Sequence, residues 1–459
     1  MASSAPSCSS TPFRSKPSES RWFRIPAVVR TPKGTLVAFA ERRDRDDSDL
    51  GNFEIVTARS TDHGCTWSPY RVIGNDASNR VSNPTPVVDT TTGKIFLFSG
   101  VTVRPGSGGR GKGLYLQTSS DDGRTFTPLL SRPIRPSGAY KGGLPGPGHG
   151  IQLRVHHKGR LIIPMGYRTS AGYYGAYGIY SDDHGSTWRV GFDQQDTTGN
   201  IKLIEGTIAE QADGELFISY RVKRDGAKAG TVRRFARSSN GGTTLSRAFR
   251  LDEDLPIVSV QGSALGLTGI HSNKLLFSAP ADRTPTLRRD MTIFVSRTRG
   301  DTWGRRYQVE LESTPGSYSD LVQVDAGTVG VIYETGIARW KERIAFESVA
   351  IPALSEPPSV PSSLSHLTSS TRLTPSVNPR VRATVRVAGI SSPPGRVTLT
   401  ATRPGTSRSA SVLLTYSNQG TRWITLPRLA RGTYTLILKY GGTGRIKPTS
   451  RSAGTIRVW

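Results

Sequence analysis

The stretch Phe23-Arg24-Ile25-Pro26 is the first in this chain with the makings of chemistry. It sets an arginine between an aromatic and an aliphatic–proline pair, just before the apolar run Ala27-Val28-Val29. Such neighbours suit a strand end whose guanidinium faces a cavity. Alone, the motif reads more simply as a surface arginine with a buried stem. The chain adds more to it. Ala38-Phe-Ala-Glu41-Arg-Arg43 follows, then the acids Asp44, Asp46, Asp47 and Asp49, and further arginines and acid–base residues recur downstream.

Elements that could gather such scattered residues are written in an internal repeat. Ser60-Thr-Asp62-His-Gly64-Cys-Thr66-Trp67 returns as Ser119-Ser-Asp121-Asp-Gly123-Arg-Thr125-Phe126 and as Ser181-Asp-Asp183-His-Gly185-Ser-Thr187-Trp188. Weaker copies begin at Ser238 and Ser296, so the starts are 59, 62, 57 and 58 residues apart. Each copy has the chemistry of a closed turn: Asp and Ser bond loop amides, Gly takes a positive φ, and an aromatic closes it. Between copies lie strand-like runs such as Lys94-Ile-Phe-Leu-Phe98 and Glu215-Leu-Phe-Ile-Ser219. One four-stranded sheet per repeat, with a last one shared by the first and last strands, predicts an all-β, six-bladed β-propeller.

Composition agrees. In 459 residues there are 50 Gly and 30 Pro, enough chain for two or three domains. The two cysteines, Cys8 and Cys65, can pair or stay free, and no Cys/His cluster has metal-ligand spacing. No apolar run approaches a transmembrane span, and residues 1–20 are a polar segment without an apolar signal core. The propeller is expected over 21–350 and a Pro/Ser-rich linker over 351–379. Short alternating runs over 380–459 then suggest a small β-sandwich. The net charge of +26 is uneven: after Glu356 there is no acid, while Arg and Lys occur fifteen times. Such a surface can attract nucleic acid, anionic glycan or acidic surface polymer. No nucleic-acid-binding motif accompanies it, so a nucleic-acid role is set aside.

With Asp49 eleven residues before the first repeat, Asn83-Pro-Thr-Pro-Val-Val-Asp89 and Gly146-Pro-Gly-His-Gly-Ile-Gln152, the region Trp22 to Glu347 closely resembles the bacterial exo-α-sialidase (neuraminidase) family. The repeated turns resemble its Asp boxes, which carry no chemistry. Arg431-Gly-Thr-Tyr-Thr-Leu through Lys439-Tyr-Gly-Gly resembles the end of bacterial immunoglobulin-like domains, which implies a spacer or attachment module.

The family resemblance implies roles. Sialic acid carries a carboxylate on its anomeric carbon, and three arginines would hold it: Arg24, Arg221 and Arg288, with Arg289 as the alternative to Arg288. A carboxylate nucleophile would be repelled by that group, and a neutral phenol is not. Tyr318 matches the nucleophile and Glu205 its activating base, with Glu210 the competitor. Asp49 matches the general acid, in competition with Asp44, Asp46 and Asp47. Arg43 matches an arginine beside the 4-hydroxyl, and Glu334 a counter-charge for the first arginine. His149 and His184 receive no role.

The resemblance thus implies a secreted or cell-surface exo-α-sialidase acting on sialylated glycans by a retaining mechanism, without metal or cofactor. Two alternatives stay open. One is an inactive glycan-binding propeller. The other is a trans-sialidase with an aromatic acceptor site such as Tyr173-Tyr174 or Tyr177. The basic C-terminal domain is expected to bind an anionic surface polymer or glycan.

Overall fold

The structure, a computed structural model, describes residues 8–459 except 46–48, 50, 77, 105–112, 130–132, 197–201, 224–232, 253–254, 256, 282–286, 304, 310–313, 355–361, 388–392, 394, 415–418 and 442–446. It is nearly all β, and the helical segments among the described residues are short 3-10 turns. None is long and apolar enough to cross a membrane. The chain divides into two compact units, 1–354 and 355–459.

In the first unit, strands rich in Val, Ile and Phe are buried on both faces: Leu36–Arg43 alternates hardly at all. That pattern needs a sheet covered on both sides. Among the described residues, six antiparallel sheets supply the covers. Five begin with Trp22–Arg30, Asn79–Val88, Lys202–Glu210, Ser263–Gly266 and Gly316–Gln323, and one with Ile151–Gln152 beside Leu161–Arg168. These leading strands touch their neighbours in turn, and the last touches the first. The sheets therefore form a closed ring around an axis, a β-propeller.

Closure uses the start of the chain. Ser9–Arg14 pairs with Arg343–Ala350, with Phe13 opposite Ile344. This corrects the expectation that 1–20 is only a polar segment; on this outer strand the fully buried residues are Pro12 and Phe13, so its sequence looks hydrophilic. Cys8 and Cys65 are disulfide-bonded, which ties the closing strand to the first repeated turn.

Every repeated turn follows the third strand of its sheet. Asp121 Oδ1 accepts from the Thr125 amide at 2.9 Å, and Ser119 Oγ from the Gly123 amide at 3.0 Å. Two successive residues are left-handed, not glycine alone: His63 and Gly64, Asp122 and Gly123, His184 and Gly185. The first of each pair can reach the preceding sheet. Asp122 accepts from Thr31, Thr35 and Arg59, and His184 meets Asp89 at 2.8 Å. The closing aromatic packs there too, Trp188 against Phe98 with ring centroids 4.7 Å apart. The turns rivet blade to blade.

The second unit contains a three-stranded sheet, Ser362–Thr368, Arg380–Val387 and Thr421–Thr425, and a five-stranded one containing Gly395–Arg403 and Gly432–Tyr440. Here alternation is strict. In Arg380–Val387 the four valine and alanine side chains are buried and the arginines exposed. The inward faces meet in one core around Val385, Leu399, Leu436 and Leu438. Ser362–Thr368 and Arg372–Leu373 lie inside the expected 351–379 linker, so the sheets begin earlier than expected. Serines on the outward positions hid that first strand.

Candidate active site

The leading strands are not smooth. Register breaks occur between Arg24 and Ala27, Ser82 and Thr85, Ile204 and Gly206, and Gly316 and Ser319. Ile25, Asn83 and Glu205 have φ of 58°, 54° and 52° at these breaks. Bulges of this kind re-aim side chains. They turn residues of several sheets toward one point on the axis.

At that point stands Tyr318, its side chain almost wholly buried. Its hydroxyl donates to Glu205 Oε1 and lies 3.2 Å from Arg221 Nη1. Arg221 also bonds Glu205 Oε2 at 2.7 Å and Ser259 Oγ at 3.3 Å. Burial pushes the phenol pKa up and the Glu205 charge adds to that, while Arg221 and Arg24 oppose it. A proton leaving Tyr318 has an acceptor already in contact.

Arg24 Nε donates to Glu334 Oε1 at 2.8 Å, and the Ile25 amide reaches the same oxygen at 2.9 Å. The Tyr318 amide approaches the other oxygen at 3.3 Å. Glu334 therefore fixes the arginine and the tyrosine backbone together. Burial works against the Arg24 charge, but Glu334 and Tyr318 outweigh it and its pKa rises. Arg288 is held differently: Nη1 donates to Ser317 Oγ at 2.9 Å, and burial, with Arg221 and Arg24 nearby, lowers its pKa against the pull of Tyr318 and Glu334. The guanidinium carbons of Arg24 and Arg288 lie 5.3 and 5.8 Å from the Tyr318 ring centroid. Both also lie over Trp340, at 4.4 and 5.4 Å, a residue the sequence reasoning missed. Nothing in a lone Trp on a turn distinguishes it beforehand.

A second cluster adjoins the first. Arg43 donates twice to Glu41, at 3.0 and 2.6 Å, and once to Asp49 Oδ1 at 3.0 Å. Glu41 pairs across the strands with Arg24 and accepts from the Asn83 amide at 2.9 Å. Asp49 sits on an exposed turn, its side chain 87% accessible. Asp44 instead closes that turn by accepting the Asn52 amide. Asp46 and Asp47 lie outside the described residues.

The other competitors separate. Glu210 is five residues along the strand from Glu205, buried, and bonded to the Arg154 and Val155 amides and to Arg154 Nε. It lines another cavity of about 350 Å³ toward the far end of the leading strands, with Val28, Val88, Ile208 and Leu321. Arg289 forms a backbone bridge to Pro315, while Arg288 meets Tyr318. Tyr177 is fully buried with its hydroxyl on the Gly142 carbonyl at 2.6 Å, which removes it as an acceptor platform. Tyr174 instead lies beneath the cations of Arg168 and Lys202.

His149, given no role from the sequence, is buried and meets Asp320 Oδ1 at 2.7 Å. Burial disfavours its charge, but Asp320 outweighs that and raises its pKa. Asp320 also takes Ser263 Oγ and the Val28 amide, joining three sheets on the axis. Arg233 is fully buried beside Arg221 in the sheet, its pKa depressed by burial to about 9.

A propeller with three guanidinia around a tyrosine–glutamate pair defines a class, and comparison places the chain within it. Residues 34–331 match the BNR repeat-like domain family. The chain is 32% identical over 338 residues to a sialidase of Micromonospora viridifaciens, covering 68% of this chain and 50% of that one. It is 31% identical over 348 residues to an exo-alpha-sialidase of Aspergillus fumigatus, covering 68% and 78%. A solved Hadza microbial sialidase, Hz136, superposes with a TM-score of 0.61 at 26% identity, over 75% of this chain and 68% of that one. The Ruminococcus gnavus intramolecular trans-sialidase gives 0.60 at 20% identity, over 76% and 99%, a likeness of fold. The chain belongs to the sialidase family. It spans about half the length of the Micromonospora relative and 60% of a Bacteroides fragilis one.

Proposed function

We propose that this chain is an exo-α-sialidase that hydrolyses terminal α-linked sialic acids from glycoproteins, glycolipids and oligosaccharides with retention of configuration. The observation that carries the reading is the Tyr318 hydroxyl bonded to Glu205 inside a ring of arginines. In this reading Arg24, Arg221 and Arg288 bind the substrate carboxylate. Tyr318 Oη attacks the anomeric carbon as Glu205 takes its proton. Asp49 protonates the departing oxygen, and its carboxylate then deprotonates the water that releases the sugar from Tyr318, whose oxygen takes its proton back from Glu205. Arg43 holds Asp49 and flanks the sugar ring. A phenol avoids the repulsion a carboxylate nucleophile would meet, and arginines pressed around it favour the phenolate as it forms.

The Cys8–Cys65 bond supports a secreted or cell-surface setting, since such bonds persist in oxidising compartments. The second unit, which has no Asp or Glu after Glu356, would hold the enzyme to anionic surface polymer or glycan.

A fluorogenic α-sialoside tests the reading. Wild type should release the fluorophore, and Tyr318→Phe and Asp49→Ala should be strongly impaired. No release by wild type across a range of pH overturns the activity. Equal turnover by Tyr318→Phe leaves the activity and overturns the nucleophile.

A further inference from the structure

We infer that the outward face of the three-stranded sheet in the second unit is a binding surface for a linear polysaccharide bearing carboxylate or sulfate groups. The inference rests on the reading that this unit attaches to anionic material, and it names the face and the polymer.

Arg380, Arg382 and Arg386 stand on one face of the central strand, all exposed. Alternate residues on a strand are about 7 Å apart, so the row runs about 20 Å, interrupted by Thr384. Cross-strand pairing puts Trp423 directly opposite Arg382 on one side and Leu367 opposite it on the other. Both are apolar and open to solvent, at 36% and 53%. Arg380 lies over the Trp423 ring at 5.0 Å, which holds its guanidinium in place without an acid. Ser363, Ser365 and Thr425 complete the face with hydroxyls. No Asp or Glu follows Glu356, so the sequence of these strands offers the row no counter-charge.

A row of fixed cations beside neutral hydroxyls and an apolar flank matches a chain of sugars with repeating anionic groups. Nucleic acid fits less well. Single strands need successive aromatic platforms, and Trp423 is the one large aromatic of these strands, its ring already shared with Arg380. Base-specific reading of duplex DNA needs an element that enters a groove, and this row lies on the face of a three-stranded sheet.

The test uses the full chain. Binding to immobilised chondroitin sulfate and hyaluronate is compared with binding to single-stranded DNA over a salt series, with thermal melting as the folding control. Wild type should bind the polysaccharides, more weakly as salt rises. Arg380→Ser/Arg382→Ser/Arg386→Ser should weaken binding by about tenfold or more. The charge-matched Arg396→Ser/Arg408→Ser/Arg428→Ser should lose far less. Trp423→Ala should weaken the binding that survives high salt. Equal losses in the two triple variants overturn the face, and tighter binding of DNA at matched charge overturns the polymer. No polyanion binding by wild type overturns the attachment reading itself, while sialoside hydrolysis reports separately on the propeller.

Discussion

Glu334 and Glu205 do different electrostatic work for groups that look alike. Glu334 is fully buried and bonds Arg24, two backbone amides and nothing mobile. Removing it strands a buried guanidinium, so Glu334→Ala should cost about 3–5 kcal/mol in unfolding experiments as well as activity. Glu205→Gln also takes a charge from Arg221 but keeps the side chain's size and hydrogen-bonding atoms, so it should cost less in melting than Glu334→Ala. It should lower kcat by about 10²–10⁴ through loss of the proton acceptor. A comparable melting loss in both variants would erase this distinction. The residues themselves were readable from the sequence, because an arginine, a tyrosine and acids stood at family spacings. Their partners were not. Trp340, Asp320 and Ser317 act through positions that only the ring brings together, and Ile25 and Glu205 occupy left-handed backbone that neither residue type advertises.

At the scale of elements, the repeated turns carry stability rather than chemistry. Trp188 fills the seam against Phe96 and Phe98, so Trp188→Ala should destabilise by about 3–5 kcal/mol without altering KM. Gly185 is left-handed, and a Cβ there would lie 2.2 Å from the Phe96 ring, so even Gly185→Ala should lower the melting temperature. The turns also set an acid limit. Partial burial disfavours the charges of Asp121 and Asp183, but hydroxyl and amide donors from Thr125 and Thr187, with Ser119 and Ser181, bring both pKa values down to about 2. Folded values below the ordinary aspartate value of 3.8 mean that these turns stabilise fully above about pH 4. That contribution fades as pH falls toward 2, and thermal melts from pH 5 to pH 2 would record it. Asp121→Asn/Asp183→Asn should flatten the decline. The turns were legible because they are local; the side chains they rivet were not, since Asp89 and Thr31 lie in the preceding sheets.

For the whole molecule, a ring is closed when the first strand lies against the last. The Cys8–Cys65 bond encloses a loop of 57 residues. In the chain-entropy account its removal, as in Cys8→Ser/Cys65→Ser, should cost about 4 kcal/mol, measurable by calorimetry. The bond also bears on the order in which the molecule can be made. Ser9–Arg14 is made before its partner Arg343–Ala350, which emerges more than three hundred residues later. Until then this strand has an unpaired edge, the hazard of long-range β pairing. Both cysteines are available after the first sheet is made. Once joined, they park the waiting strand beside that sheet, where the last sheet must arrive, and turn a search through the whole chain into a local docking.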